Sequence, residues 1–488
     1  MTGTAAVGTK LLFTTLVCLG HLRAVVLPNG SELEVRLLHR VGSRVSHVGD
    51  PVRAVVITPV FDHDTILLPA GATVSGVVDH LDRLGLGLRH TAARMDLQFT
   101  QLHLSDGTVI QIHARLASVE EAREIVSDTG VVIGIHPGAS FSTGVSGVFT
   151  LLFLGEPEFR LPVLGFKFLA ARSPDAEITF PAGTEMLLRL THDVQLHNSM
   201  SCKPAVPRLT TSQGASLQTM LARLPQQQTS RDGRHASDLI NIVLIGSQQA
   251  VENAFRAAGW HGSEPHNAMA LYHMYHCLVQ RVGYSRAPMT NLKFNGNPPD
   301  DTFQKSLDTL AKRHHIRLWR EGRSDVWLGA ASEDIKYKVR ALHITHGTDR
   351  DIDNERAKVV NDLAFTGCID RGALVPRVNL KSVEKDAHSI LTDGEVAVVQ
   401  LNTCNSPHFK PSDPQTPRPV RPIRAALAVS EDIVRSNPVS VGYALAKSMF
   451  DGSKTRPNKR VHESATYTRA IAISRISETA SARVSALR

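Results

Sequence analysis

A turn that leads into a strand occurs three times within the first 195 residues, and this repeat constrains the fold more than any other feature. Its copies read LPNG, LPAG and FPAG and occupy residues 27–30, 68–71 and 180–183. Proline presets φ for a turn, and the glycine two positions later can adopt the positive φ that other residues avoid. Each copy therefore predicts a tight turn followed by a β-strand.

Segments with the period of a half-buried strand lie between these turns. Apolar residues alternate with polar neighbours at Met95, Leu97 and Phe99, and residues 52–58 form a nearly continuous apolar run. The sequence SDGT at 105–108 separates two such runs and predicts a hairpin turn. Repeated turn–strand units with few helices favour a small antiparallel barrel or sandwich over residues 25–195.

The N-terminus has the pattern of a secretion signal. Lys10 precedes ten mostly apolar residues, and Ala24 follows as a weak small-residue cleavage position. The apolar run is too short to span a bilayer as a helix and fits a signal peptide over residues 1–24. A buried first strand or helix is the alternative. The signal predicts export to the periplasm or cell envelope.

A second apolar run, residues 141–155, is rich in glycine and serine. It is also too short to cross a membrane as a helix. We expect it to pack inside the protein, with contact to a partner or to the bilayer surface as the alternative.

The positive charge of the chain lies at its C-terminal end. The formal net charge is +8, and residues 404–488 carry 4 Lys and 10 Arg against 6 Asp and Glu. The rest of the chain is therefore formally neutral, which argues against a nucleic-acid-binding body. Residues 404–488 are rich in proline and then in serine, threonine and arginine, and they predict a disordered basic tail that could contact anionic lipid.

A different pattern starts after residue 236. Residues 196–236 contain three prolines and a glutamine run and are predicted as a linker. The next apolar run, 238–245, is typical of a buried strand, and Ser247 is placed to cap the helix that follows. Further strands are predicted at 292–294, 315–319, 326–330, 341–345 and 396–401, and helices at 248–258, 266–282 and 351–366. This order predicts an α+β sandwich with a mainly antiparallel sheet over residues 237–403, and thus an α+β multidomain chain.

Residues 235–403 resemble a known family. The segments that carry the resemblance read DLINIVLIGS at 238–247, AAGW at 257–260, FQK at 303–305, KRHHIRLW at 312–319, VWLGAA at 326–331 and DIDNER at 351–356. As a set they are similar to the LssY C-terminal domain. The resemblance implies a link, by name, to a type I secretion component, and it implies no activity. A similar module follows membrane phosphatase-like or DedA-like regions in some proteins, but no multi-pass membrane region is visible here, so that role is not carried over.

The segment 312–320 is the best candidate for a binding surface. If it is a strand, Arg313, His315 and Arg317 project from one face, and Lys305 could join them. Arginine binds phosphate or carboxylate groups through a bidentate fork, so this face predicts an anion-binding site. A sheet face balanced by acids on a neighbouring helix is the alternative.

His346 and Asp349 are the candidate catalytic groups, as general bases beside the predicted anion site. The acids at 349, 351 and 353 invite a calcium interpretation, but Asn354 replaces the turn glycine of an EF-hand and Val360 replaces its bidentate glutamate. Acids at this position also cap a helix N-terminus and oppose its dipole. We expect helix capping here, with a metal or general-base role as the alternative.

No cofactor or metal site is predicted. The sequence contains no Walker A, GxGxxG, GxSxG or HExxH motif, and its five cysteines form no CxxC pair. Cys277 and Cys368 could form a disulfide in an oxidising compartment, or they could be buried thiols.

Three functions stay open from the sequence. The first is an exported envelope protein with a non-enzymatic binding or scaffold role in secretion or envelope maintenance. The second is a hydrolase or transferase that acts on phosphate-bearing or lipid-linked substrates. The third is a peripheral membrane protein held by its basic tail. Envelope or membrane components are the expected partners, and nucleic acid is not.

Overall fold

A computed structural model gives the structure of the chain. It describes residues 25–62, 65–85, 91–136, 175–196, 206–229, 236–290, 292–306, 312–322, 324–340, 343–377, 384–385 and 388–405, together with Ile471 and Ile473. The predicted signal peptide, the apolar run 141–155 and almost all of the predicted tail lie outside the described residues.

The described residues form four helices and 26 strands. The helices are α1 (Thr211–Arg223), α2 (Gln248–Ala257), α3 (Ala268–Gln280) and α4 (Ile352–Phe365). The strands are β1 (Val25–Leu27), β2 (Glu32–Leu37), β3 (Val41–Gly42), β4 (Pro51–Val56), β5 (Val60–Asp62), β6 (Thr65–Leu68), β7 (Thr73–Asp82), β8 (Arg94–His103), β9 (Val109–Val119), β10 (Ile125–Val126), β11 (Val132–Ile133), β12 (Thr179–Phe180), β13 (Glu185–Leu190), β14 (Val194–Leu196), β15 (Gln227–Thr229), β16 (Ala236–Leu239), β17 (Ile242–Ile245), β18 (His261–Gly262), β19 (Asp301–Lys305), β20 (Arg313–Arg320), β21 (Val326–Arg340), β22 (His343–Thr348), β23 (Ile369–Pro376), β24 (Glu384–Lys385), β25 (His388–Ser389) and β26 (Glu395–Leu401).

Six strands close into an antiparallel barrel. Their order is β8-β7-β4-β2-β13-β9, and β9 pairs back with β8 to complete the circle. The apolar residues of the predicted alternation, Met95, Leu97 and Phe99, lie in its core together with Leu33 and Val35. The sequence predicted a barrel or a sandwich. The structure is a barrel, since the β8–β9 pairing closes the sheet on itself. Closure also removes the exposed sheet edges.

The three predicted turns are confirmed by the backbone. Gly30, Gly71 and Gly183 have φ values of +88°, +95° and +94°. A side chain at such a φ is strained, so glycine is needed at these positions.

A second sheet forms the C-terminal half of the described fold. Its order is β18-β19-β20-β21-β17-β26-β23, with β22 also paired to β21. Only the β17–β26 pair within it is parallel, which confirms the predicted, mainly antiparallel sheet. Helices α2 and α4 pack on one face through Val251, Phe255, Val359 and Leu363. Helix α1 packs on the other face through Leu217 and Leu221.

The predicted linker differs from the structure. Helix α1 and strand β15 both lie within residues 196–236, and Leu217 and Leu221 are buried against the second sheet. The prolines and glutamines of this stretch led to the prediction of a linker, although it contains a short helix. That helix is stabilised by packing of its few apolar residues on the sheet rather than by helix propensity.

Cys368 forms a disulfide with Cys404, which corrects the predicted alternatives of a Cys277 bridge or buried thiols. Cys277 is the unpaired cysteine among those described. The bridge ties residue 404, where the predicted tail begins, to the end of α4. Further along, Ile473 is buried against Val206 and Gly372.

None of the described helices is both long and apolar enough to span a bilayer.

Candidate functional site

The predicted anion-binding face of β20 is buried and faces carboxylates of the same chain. Arg313 donates through Nε to Asp334 at 2.9 Å, and Nδ1 of His315 lies 3.7 Å from the same carboxylate. Arg317 donates to Asp238 at 3.4 Å and to the carbonyl oxygen of Thr290. An external anion would have to displace these carboxylates, so its binding at this face stays a prediction.

Lys305, the fourth predicted anion-binding residue, lies elsewhere. It belongs to a set of five charged residues that we call the ion cluster: Arg36 and Glu185 from the barrel, Lys305 from β19, and Lys358 and Asp362 from α4. The ammonium group of Lys305 donates to Glu185 at 2.6 Å and to Asp362 at 2.9 Å. The anions that Lys305 binds in the structure are therefore two internal carboxylates.

The ion cluster is fully hydrogen-bonded across the boundary between barrel and sheet. Arg36 donates to Glu185 at 2.6 Å and to Asp362 at 3.1 Å. Lys358 donates to Asp362 at 2.8 Å and contacts Glu185 as well. The indole of Trp260 adds a bond to Asp362 at 2.8 Å. Buried charges of this kind are tolerated only when they are paired and hydrogen-bonded, as these are.

The electrostatics of the cluster favour ionised carboxylates. Burial alone would raise the pKa of Glu185, but Lys305, Lys358 and Arg36 lower it well below its ordinary value. Burial likewise opposes ionisation of Asp362, and Lys305 and Lys358 again lower the pKa of that carboxyl. The two carboxylates therefore hold three cations from three elements, which joins the barrel to the second sheet.

A second buried cluster surrounds His314, which points away from the Arg313 face of β20. We call it the His314 cluster; it comprises His314, Glu120, Glu121, Glu333 and Glu355. Nδ1 of His314 lies 2.6 Å from Oε2 of Glu355. Nε2 lies 3.5 Å from Glu120 and 3.8 Å from Glu121. Both halves of the fold thus contribute carboxyl groups to a single imidazole.

The strand pairing, helix α4 and the backbone at Glu121 bring the carboxyl groups next to His314. Glu333 is the cross-strand partner of His314 on β21, and Glu355 lies in the first turn of α4, which packs over this face. Glu121 has a φ of +54°, which is rare for a residue with a side chain, and its carboxylate accepts the backbone N–H of His314 at 3.0 Å. Strain of this kind persists only where the surroundings impose it.

Burial alone would lower the pKa of His314, but Glu355 and Glu120 raise it well above its ordinary value. Burial raises the pKa of Glu121 to about 8, against the opposing effect of His314. The surrounding carboxyl groups therefore favour the protonated form of His314, whereas burial disfavours the ionised form of Glu121.

The predicted catalytic residues lie at the C-terminal end of β22, beside the middle of β21. His346 is paired with Tyr337 in the ladder, and its side chain lies outside the described residues. Asp349 accepts the N–H of Asp351, and Asp351 caps α4 by accepting from Asp353 and Asn354. The predicted helix capping is confirmed; a general-base role for His346 or Asp349 stays a prediction.

An open cleft of about 760 Å³ lies beside α2 and β19. Arg256, Arg286, His261 and Asp301 are among its lining residues. Burial, together with Glu252 and Asp300, raises the pKa of Asp301 to about 6. Neither this cleft nor Asp301 was predicted, because the residues that line it come from separate short segments between residues 252 and 303 and form no motif.

Helix α3 carries an exposed apolar surface. Met269 and Leu271 are 61% and 66% exposed, and Tyr272 and Tyr275 are about half exposed. Ala270 is the buried residue among the described side chains of this helix. A helix that is apolar on most sides is normally covered, so α3 has the character of an interaction element.

Sequence reasoning missed most of what the structure brings together. Glu185 and Asp362 lie in none of the motifs of the sequence, and Glu355 lies in the DIDNER segment at 351–356, to which the resemblance assigns no role. A weak signal existed in the alternation of β20, which places His314 on the apolar face with Ile316 and Leu318. A titratable residue on an apolar face needs a buried partner, but the sequence does not name that partner.

Comparison with known proteins supports the resemblance found in the sequence. The family model described as LssY C-terminus matches residues 221–396. The match begins in the last residues of helix α1 and ends in the first residues of β26, so it covers most of the second sheet with α2, α3 and α4 and does not extend to the barrel. A search of curated proteins finds no match to this sequence.

Among solved structures, one that is similar is ComB10 of the Com type IV secretion system of Helicobacter pylori. The two are 12% identical, and the match covers 35% of this chain and 89% of that chain at a TM-score of 0.20. A TM-score this low carries no conclusion about fold or function.

Proposed function

We propose that this protein is an exported, non-enzymatic binding or scaffold protein of the cell envelope that docks on a lipid surface through helix α3. The exposed apolar surface of α3 carries the proposal. The family model described as LssY C-terminus matches residues 221–396. The resemblance to that family implied a link to a secretion component, which agrees with a role in the envelope.

The composition of α3 fits an anionic lipid surface. The helix contains no acidic residue, and Arg281 and Arg286 follow its C-terminal end. Exposed leucine and methionine gain free energy by entering the acyl boundary, and tyrosine is enriched at the level of the head groups. Basic residues beside such a helix add attraction to anionic head groups.

The position of α3 agrees with this role. Arg123 of the barrel donates to the carbonyl oxygen of Glu177 and to that of Arg281, the residue that ends α3. The barrel therefore contacts the C-terminal end of α3. The ion cluster joins the barrel to the second sheet. A helix mounted on this joined body would present the whole protein to the surface in one orientation.

The Cys368–Cys404 disulfide supports export. Disulfides form and persist in oxidising compartments and are rare in the cytosol. The predicted signal peptide, residues 1–24, agrees with that location.

Vesicle sedimentation tests the lipid proposal. The full chain is mixed with phosphatidylcholine vesicles, with and without phosphatidylglycerol, and the bound fraction is measured. Replacement Leu271→Glu removes an exposed apolar side chain and adds a negative charge. Burying a leucine contributes about 1.5–3 kcal/mol, so we expect at least about tenfold weaker binding for this variant.

Val109→Glu is the matched control, because Val109 is 50% exposed on the barrel strand β9. We expect this variant to bind like the parent protein. Equal binding by the parent protein and by Leu271→Glu would overturn docking through α3 and would favour the basic tail as the contact. No binding to either kind of vesicle would overturn the lipid proposal altogether.

A hydrolase or transferase is the second candidate, and the cleft beside α2 favours it. Its two arginines could bind a phosphate group, and Asp301, with a pKa of about 6, could act as a general base near neutral pH. The Oδ2 atom of Asp301 is buried without a hydrogen-bond partner. Turnover of a phosphate-ester panel that Asp301→Asn abolishes, and that Leu271→Glu leaves unchanged, would establish this function instead.

A further inference from the structure

We propose that the His314 cluster is a binding site for a divalent transition-metal ion that joins the barrel to the second sheet, with His314, Glu333 and Glu355 as ligands. This inference goes beyond the proposed lipid docking and does not depend on it. It rests on the geometry of the side chains, on their charge and on one unpaired buried oxygen.

The geometry comes first. One ligand atom of each of the three residues lies within 4.8 Å of the others. Metal–ligand bonds of about 2.0–2.2 Å place two ligands of one ion at most about 4.4 Å apart, so small side-chain movements would suffice. The three residues come from β20, β21 and α4, which are rigid elements packed on one another.

The negative charge of the surrounding carboxyl groups also favours a bound cation. Carboxyl groups of four residues surround the single imidazole of His314. A protonated imidazole would balance one of the four negative charges that these groups can carry. A divalent cation would balance more of that charge and would let the imidazole bind in its neutral form.

An unpaired buried atom supplies the independent observation. Glu355 is 2% exposed, and its Oε1 has no hydrogen-bond partner, while Oε2 is bonded to His314. A buried carboxylate oxygen without a partner is costly and calls for an ion or a donor. Glu333 is half-buried and the side chain of Glu120 is 25% exposed, which gives an ion a route from solvent.

The donor set selects the class of metal. Imidazole together with carboxylates suits Zn²⁺, Mn²⁺ or Fe²⁺, whereas Mg²⁺ and Ca²⁺ prefer oxygen ligands alone. Because Glu120 of the barrel lies 3.5 Å from His314 of the sheet, an ion here would lie at the boundary between the two halves. Its binding should therefore stabilise that boundary.

Zn²⁺ binding to the purified full chain, freed of metal by a chelator, tests the site. Calorimetric titration with Zn²⁺ and with Mg²⁺ gives stoichiometry and affinity, and thermal melting gives the shift in Tm. The test variant is Glu333→Gln, since Glu333 is half-buried and its loss should leave the fold intact. Glu252→Gln, in α2, is the matched control, because Glu252 is also half-buried and lies outside the cluster.

We expect one tight Zn²⁺ site in the parent protein, a rise in Tm on Zn²⁺ addition and no comparable response to Mg²⁺. Glu333→Gln should weaken Zn²⁺ binding by at least about tenfold and abolish the rise in Tm. Glu252→Gln should behave like the parent protein. Without metal, Glu333→Gln should melt no lower than the parent, because it removes one of several crowded acids; a purely structural glutamate would show a lower Tm.

Two results would overturn the metal site. Absence of tight Zn²⁺ binding in the parent protein would show that the cluster is held by a protonated His314. Equal Zn²⁺ binding by the parent and by Glu333→Gln would place the ion elsewhere, for instance on surface members of the 23 histidines.

Discussion

Replacement of Glu185 by glutamine should destabilise the protein far more than any surface charge change. Glu185 accepts from Arg36 and from Lys305, and it also contacts Lys358. The substitution keeps the shape of the side chain but leaves three buried cations with Asp362 as the remaining acid of the cluster. Removing one partner of a buried ion pair costs about 3–5 kcal/mol.

The same pair of strands offers the control. Glu185 is the cross-strand partner of Arg36, and Glu32 is the cross-strand partner of Arg189 in the same β2–β13 ladder. The Glu32–Arg189 pair is also close, at 2.6 Å, but the arginine side chain is 42% exposed. A solvated pair contributes about 1 kcal/mol or less, so Glu32→Gln should change stability little.

Thermal and urea unfolding measure the difference. For a folded unit of this size, 1 kcal/mol shifts Tm by about 2–4 °C, so Glu185→Gln should lower Tm by roughly 6–20 °C. The double replacement Glu185→Gln with Lys358→Met restores the charge balance and should recover part of the loss. Equal Tm values for Glu185→Gln and Glu32→Gln would refute the argument, because the ion cluster would then contribute no more than a surface pair.

The remaining predictions concern acid and thiols. The pKa values of Glu185 and Asp362 are lowered in the folded protein, so their ionisation stabilises the fold fully above the ordinary carboxyl pKa of about 4. This stability is lost as pH falls below that value. The urea midpoint should therefore fall at low pH, and it should fall less steeply in Glu185→Gln. Burial raises the pKa of the Cys277 thiol to about 11, so alkylation by iodoacetamide should be slow at pH 8 and faster as pH rises, and rapid reaction at pH 8 would contradict this burial. The Cys368–Cys404 bridge spans 36 residues, so replacing both cysteines by serine should lower the free energy of unfolding by about 3–4 kcal/mol. An intact-mass measurement that finds Cys368 and Cys404 alkylated without reductant would exclude the bridge.

Local structure was predicted well from the sequence because short-range rules govern it. The Pro-x-Gly turns needed glycine at positive φ, and the alternation at Met95, Leu97 and Phe99 needed a strand with one buried face. Ser247 was predicted as the cap of α2, and its side chain accepts the N–H of Ala250. These features depend on residues within a few positions of one another.

Long-range partners were not predictable in the same way. The sequence indicated that Lys305, Arg313 and Arg317 bind anions, and the structure shows that each bonds to an internal carboxylate. Those acids lie between 21 and 120 positions away from the cations. No local pattern marks such a pair, since any acid in the chain could fill the role.

The sequence by itself determined the turns, the strand periodicity, the helix caps and the resemblance of the second half to a known domain. Only the tertiary structure decided that β9 returns to β8 to close the barrel, and that Glu185 meets Lys358 and Asp362 at the boundary between the barrel and the second sheet. The physical reason is that backbone conformation is set by neighbours along the chain, whereas buried charge must be balanced by whichever group the fold brings within about 3–4 Å.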